Sequence, residues 1–158
     1  MKTIQAPEKL PDRSAQTSPM LFLAGSVTDA FPWRMKLAGM LEHQPGVILD
    51  PERTDWDSSW KERIDDPQFR EQVEWELDAQ ERADVIFMYF DPATKAPISL
   101  LELGLSARSG KMLVCCPEGF WRKGNVDIVC KRYGIPQIQS FIDLEEAILA
   151  ILDRGREP

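Results

Sequence analysis

Two glutamates stand where the amphipathic pattern of their helices calls for something apolar. In "PISLLELGLSARSGK" (97–111), Ile98, Leu101 and Leu105 form a stripe at helical spacing, and Glu102 lies one turn from Ile98, inside that stripe. In the helical pattern over 67–82, Glu71, Glu74, Asp78 and Glu81 make a solvated acidic face. Phe69, Val73, Leu77 and Gln80 line the other side, and Glu76 falls with this second group. Burying an ionised carboxylate without partners costs several kcal/mol or more, so such a residue is paired, protonated or held for chemistry. Two inward carboxylates sharing a cleft raise one pKa and leave the other low. That arrangement suits displacement at an anomeric carbon, with one carboxylate attacking and an acidic partner assisting departure. The competing reading at either position is a half-exposed glutamate in an ion pair with Arg or Lys.

A departing nucleobase needs a flat wall, which Trp56, Trp60 and Tyr89 could supply, although each is equally suited to a core. Gly25-Ser26 offers a close backbone approach and a hydroxyl. "FWRKGNVD" (120–127) sets Arg122 and Lys123 before a helix that Asn125 can cap, where a phosphate could bind, or where an ordinary exposed loop could run. "GLSARSGK" is not a phosphate-binding loop, because Met follows Lys111 and the glycines close a helix instead of opening one. His43 is the single histidine, which argues against a histidine-based hydrolase and against a zinc site of usual composition. The chemistry outlined for the glutamates requires no metal and no organic cofactor.

The elements that must position these residues alternate regularly. Apolar strand patterns at 20–25, 46–50, 84–90, 111–116 and 137–138 are separated by helical patterns from Pro32 to about Glu42, over 67–82, from 97 to a cap at Gly110, and over 125–133. A last helix is expected from 141 to about 152, and residues 51–66 form a long polar loop. The order predicts one α/β domain over 20–158, a three-layer fold with a five-stranded parallel sheet and helices on both faces. Residues 1–19, polar and carrying Pro7, Pro11 and Pro19, read as a flexible N-terminal arm. Ligands of such sheets sit beyond the carboxyl ends of the strands where the strand order reverses. That rule points to Gly25-Ser26, the 51–66 loop, Asp91 to Ser99, and Pro117 to Asn125.

Composition narrows the partners. The 158 residues carry 19 Lys plus Arg against 26 Asp plus Glu, a net charge of -7 that provides no field for a duplex phosphate backbone. A single nucleoside or nucleotide needs only a local cluster. No stretch reaches the roughly 18 to 20 apolar residues of a membrane span, and no secretory signal is evident, so a cytoplasmic protein is expected. Cys115, Cys116 and Cys130 lack C-x-x-C spacing and suit free thiols packed in the core.

Taken together, "LFLAGS", "DPERTDWD", "FREQVEWELDAQERADVIFMYF" and "PISLLELG" resemble the nucleoside 2-deoxyribosyltransferase family, in its deoxyribosyltransferase-like branch, over roughly residues 20–135. The resemblance implies a flavodoxin-like fold. It also implies that Glu102, in the "ELG" motif, is the nucleophile of a covalent deoxyribosyl intermediate, and that Glu76, eight positions before Asp84, is the second catalytic acid. Two positions depart from the family pattern. A nucleophile-orienting tyrosine on the first strand is replaced by Leu21, and a sugar-holding aspartate by Ala96. Ser99 and Asn125 are candidates to replace those contacts, the latter across a subunit interface, since the resemblance implies a homo-oligomer. The implied activity is N-glycosyl transfer between bases. The alternatives are hydrolysis of a nucleoside or its monophosphate, favoured if Arg53, Arg122 and Lys123 line the pocket, and a non-catalytic nucleotide-binding module.

Overall fold

A computed structural model describes residues 1–27, 31–57, 59–139 and 144–154. The expected apolar runs form strands β2 (Met20–Gly25), β3 (Val47–Asp50), β4 (Val85–Tyr89), β5 (Met112–Cys115) and β6 (Gln137–Ile138). Helices α1 (Trp33–Met40), α2 (Pro67–Arg82), α3 (Pro97–Ser106), α4 (Lys123–Tyr133) and α5 (Leu144–Arg154) connect and cover them. The expected start of the last helix at 141–143 lies outside the described residues.

The sheet has six parallel strands rather than five. Its extra member comes from the segment expected to be a loose arm. Lys2–Gln5 forms β1, the edge strand, pairing Thr3 with Ile48 and Ile4 with Leu49 of β3. An edge strand with one solvated side needs no long apolar run, which is why "KTIQ" carried no strand signal. The chain beyond it is also tied down. Leu10 is buried, Trp75 Nε1 donates to the Glu8 carbonyl at 2.8 Å, and Arg13 pairs with Asp84.

Strand order is β1-β3-β2-β4-β5-β6, so the chain leaves β2 toward one side and returns to its other side with β4. The helices follow this reversal. On one face Phe22, Ala24, Met88 and Phe90 pack with Trp75 and Ala79 of α2, Leu103 of α3 and Val126 of α4. On the other, Leu21, Leu23 and Phe87 pack with Trp33 and Leu37 of α1 and Leu144 and Ile148 of α5. Alternate residues of each strand thus feed opposite cores. Each fully buried large apolar side chain contributes about 1.5–3 kcal/mol. The three cysteines are free and buried, and burial pushes the Cys115 thiol up to about 11 and that of Cys116 up to about 12.

Local signals explain the helix starts. Asp66 caps α2 by accepting from the Gln68 and Phe69 amides at 3.2 and 3.1 Å, ahead of Pro67 in the first turn. Helix α3 starts with Pro97, and its cap, Ala96, takes a left-handed conformation at φ 43°, uncommon for a residue with a Cβ. Helix α4 begins at Lys123, two residues before Asn125. Asn125 is therefore an exposed residue of the first turn and not the cap. Gly110 closes a turn beyond α3, which ends at Ser106.

The inner faces of α2 and α3 differ from those expected. On α3, Ile98, Leu101 and Leu105 are about 60% exposed, and the buried side is Ser99, Glu102 and Leu103. On α2 the buried side is Gln72, Trp75, Ala79 and Gln80, with Glu76 half-buried at its edge, while Val73 and Leu77 are exposed. Both helices turn a partly polar face inward.

At the point of reversal, Gly25 pairs with Tyr89 at φ 127°. A Cβ there would lie 2.2 Å from the Tyr89 carbonyl oxygen, a backbone atom that cannot step aside. Gly25→Ala is therefore expected to destabilise the fold by about 3 kcal/mol or more. A urea denaturation midpoint unchanged from wild type would contradict this.

Candidate active site

Helix α2 carries the sequence Gln72, Glu76, Gln80 at intervals of four, so the three side chains stand along one side of it. Gln72 Nε2 donates to the Pro51 carbonyl at 2.8 Å and to Glu76 Oε1 at 2.7 Å. Gln80 Nε2 donates to Glu102 Oε1 on α3 at 2.8 Å, and Gln80 Oε1 accepts from Ser106 Oγ at 3.1 Å. Each carboxylate is thus held by one glutamine. Among the described residues neither carboxylate makes an ion pair with Lys or Arg within 4 Å.

Burial, then the neighbouring charge of Glu76, pushes the Glu102 carboxyl up to about 7; Arg34 and the Gln80 hydrogen bond oppose the rise. Burial also raises Glu76, against the Gln72 hydrogen bond and Arg34. The two acids sense one another and the same cation. Burial and the Glu76 charge thus favour the protonated form of Glu102 up to about pH 7.

Arg34 is the buried cation that no sequence signal singled out. It stands one residue into α1, 7% exposed. Its guanidinium donates to the Ser26 carbonyl at 3.4 Å and to the Gly25 carbonyl at 3.2 Å. Its Nε lies 3.4 Å from Asp50 Oδ1 at an alignment short of a hydrogen bond. Burial pulls its pKa down, and Asp50, Glu52, Glu102 and Glu76, in that order, pull it back up. The arginine thus ties the ends of β2 and β3 together and supplies positive charge beneath the carboxylates. Arg34, Leu37 and Leu41 follow helical spacing on one buried face, so an interrupted apolar stripe was present in α1 as well.

The remaining expected residues divide. Ser99 is buried on the inner face of α3, one turn before Glu102. The Ser26 hydroxyl is buried and accepts from the Asp91 amide at 3.0 Å and from Thr94 Oγ1 at 2.8 Å, so it clamps the 91–94 turn against the end of β2. Gly25 serves backbone approach and contributes its carbonyl to Arg34. Trp56 is 49% exposed, its ring 5.0 Å from that of Trp60, and remains available as a wall.

Three of the expected residues are engaged elsewhere. Arg53 pairs with Asp55 at 2.8 Å and Glu71 at 2.9 Å and lies 4.9 Å over the Trp60 ring, holding the 51–57 segment on α2. Tyr89 points into the opposite core, its ring 5.6 Å from Trp33 and 6.0 Å from Phe31, with its hydroxyl pushed up to about 12 first by burial. Asn125 is exposed in the first turn of α4. A hollow of about 260 Å³ lies within the 51–66 loop that the topology rule pointed to, lined by Ser59, Lys61, Arg63, Asp65, Asp66 and Pro67, none of which was singled out as a site residue.

The segment holding both glutamates, Gly25 and Arg34 coincides with a recognised unit. Residues 18–120 match the family model described as nucleoside 2-deoxyribosyltransferase like. The chain belongs to the nucleoside 2-deoxyribosyltransferase-like family. The matched span of this deoxyribosyltransferase-like protein runs from just before β2 to beyond β5, omitting strands β1 and β6 and helices α4 and α5. No curated protein matches the chain in sequence. Membership supports an enzyme of the deoxyribosyltransferase-like type, on a six-stranded version of the expected flavodoxin-like fold. Among the described residues, no helix is long and apolar enough to cross a membrane.

The raised pKa of Glu102 has a stability consequence. Glu102 moves from 4.5 to about 7, so the folded state holds the proton more tightly than the unfolded chain. Its contribution to stability is complete below pH 4.5 and is lost as pH rises through about 7. Glu102→Gln, which cannot ionise, is expected to gain up to about 3 kcal/mol over wild type on going from pH 4.5 to pH 8. Urea unfolding at the two pH values measures it, and a difference independent of pH would contradict the assignment.

Proposed function

We propose that this protein transfers a 2-deoxyribosyl group between nucleobases through a covalent intermediate on Glu102. The observation that carries this reading is the pair of inward carboxylates, buried Glu102 and half-buried Glu76, both raised by burial and both acted on by the charge of buried Arg34. Ionised Glu102 attacks C1′ of the nucleoside as the glycosidic C–N bond breaks, and the bonding pair leaves with the base. Glu76 gives its proton to that base, then takes one from the incoming base as it displaces Glu102 from C1′. Burial raises both carboxyls, that of Glu102 to about 7, so the ionised nucleophile is populated as pH rises through neutrality and is poorly solvated once formed. Trp56 offers the base an aromatic face, and Ser99 a hydroxyl one turn from the nucleophile.

Hydrolysis uses the same first half-reaction with water as the acceptor. Two of the cations that would favour a monophosphate substrate are neutralised: Arg53 by Asp55 and Glu71, and Lys123 by Asp127 at 2.9 Å. Deoxyinosine incubated with and without adenine separates the outcomes. New deoxyadenosine is expected in the first case, whereas free hypoxanthine in both, without exchange, would indicate hydrolysis. Glu102→Ala is expected to lose about 1,000-fold or more of the exchange rate, and Glu76→Gln to fall comparably with natural bases. Full activity in Glu102→Ala would end this mechanism, and silence across nucleosides and their monophosphates would favour a binding module.

The reading includes self-association through the apolar surface that α2 and α3 leave outside. Val73 and Leu77 on α2 and Ile98, Leu101 and Leu105 on α3 are exposed large apolar side chains on two helices bridged by the buried Gln80–Glu102 hydrogen bond. Exposed apolar side chains concentrated on adjoining helices suit a protein–protein contact. Leu101→Glu is expected to convert an oligomer to monomer in sedimentation velocity while leaving the fold intact. A wild-type monomer at the same concentration would refute the association.

A further inference from the structure

The nucleophile proposed above is a flexible side chain, and an attacking oxygen must be held within a fraction of an ångström of its line of approach. Leu21, at the position where the resemblance places an orienting tyrosine, is fully buried in the core shared with α1 and α5 and has no hydrogen to donate. The donor reaches Glu102 from another direction. We propose that Gln80 is the positioning residue for Glu102, oriented in turn by Ser106.

Gln80 is 6% exposed, and both ends of its amide are assigned. Ser106 Oγ donates to Gln80 Oε1 at 3.1 Å, which leaves the NH₂ end toward Glu102 Oε1 at 2.8 Å. A flipped amide would set its oxygen against the ionised carboxylate, so Glu102 selects the orientation, and the Ser106 hydroxyl anchors the far end of the amide. Ser106 stands one turn after Glu102 on α3, so the three side chains close a bridge between α2 and α3 with Glu102 at one end and its own helix at the other. Among the described residues Gln80 is the only side-chain donor to Glu102, and it engages Oε1 alone. Oε2 is left as the attacking atom, in a carboxylate whose rotation about its last bond is fixed.

The charges around Glu102 come from other elements and stay in place when Gln80 is changed. They are Glu76 on α2 and Arg34 on α1, with Asp50 at the end of β3 and Glu52 just after it acting on Arg34. Removing Gln80 therefore removes one donor and no charge. A donor to the carboxylate favours its ionised form, so loss of the donor moves the Glu102 midpoint upward from about 7.

This inference rests on Glu102 being the nucleophile, and the test separates the two. Gln80→Met keeps length and burial without a donor, and Ser106→Ala keeps the glutamine but frees its amide. The Glu102 carboxyl is followed by carbon NMR in glutamate-labelled protein, assigned with Glu102→Gln, and base release from deoxyinosine is followed against pH. Gln80→Met is expected to raise the Glu102 midpoint and the acidic limb of the rate profile together by about one pH unit. It should also lower the plateau kcat by about tenfold with KM changed less than twofold. Ser106→Ala is expected to move both in the same direction by less, and it carries the test if the methionine variant does not fold. Activity with midpoint and limb unmoved in the folded variants overturns the role of Gln80 alone. Wild-type protein that releases no base from any nucleoside overturns the reaction, and the positioning role with it.

Discussion

Two acids and one base are enclosed together, and much of the structure follows from that imbalance. Glu76 and Glu102 lie in a region where Arg34 is the buried cation, and Arg34 is already shared with Asp50 and Glu52. Full ionisation of both glutamates would leave unbalanced negative charge away from water, which a low-dielectric setting does not tolerate. Keeping Glu102 protonated up to about pH 7 relieves that imbalance.

The topology supplies the place for it. Because β3 and β4 leave β2 on opposite sides, α1 and α2 cover opposite faces, and the ends of β2 and β4 border a crevice. Gly25 lets the two strands stay in register to their last residues, and Ser26 fixes the turn that leads toward α3. Arg34 reaches from one face to the backbone carbonyls at that end, while α2 and α3 bring their carboxylates from the other. Lining a crevice with Gln72, Glu76, Gln80, Ser99 and Glu102 requires α2 and α3 to present polar side chains inward. Their larger apolar residues are displaced to the outside in consequence.

Much of this was legible in the sequence, for reasons that differ by element. Continuous apolar runs such as "MLFLAG" mark strands buried on both faces, and those positions agree closely with the structure. The pattern breaks at 76 and 102 mark the two inward carboxylates but not their neighbours. The most apolar stripe of a helix is ordinarily the buried one, whereas α3 buries Ser99 and Glu102 and exposes Ile98, Leu101 and Leu105. A helix beside a polar crevice and an unpartnered surface breaks that rule. Strand β1 escaped notice because pairing along an edge is a backbone property. Arg34 interrupts the buried stripe of α1 much as the glutamates interrupt theirs. Arg53 and Tyr89 make contacts that residue type alone does not foretell, because it says little about which way a side chain turns.

The left-handed residue ahead of α3 bears on how this site could change over evolutionary time. Ala96 occupies a backbone conformation that aspartate and asparagine accept more readily than alanine does. Installing an acidic side chain there, six positions before Glu102, would relax the main chain and add a hydrogen-bond acceptor ahead of the helix that carries Glu102. Gains in ligand-holding groups commonly trade against robustness. At this one position the two run in parallel, so the lineage has an uphill step open to it that requires no compensating change elsewhere.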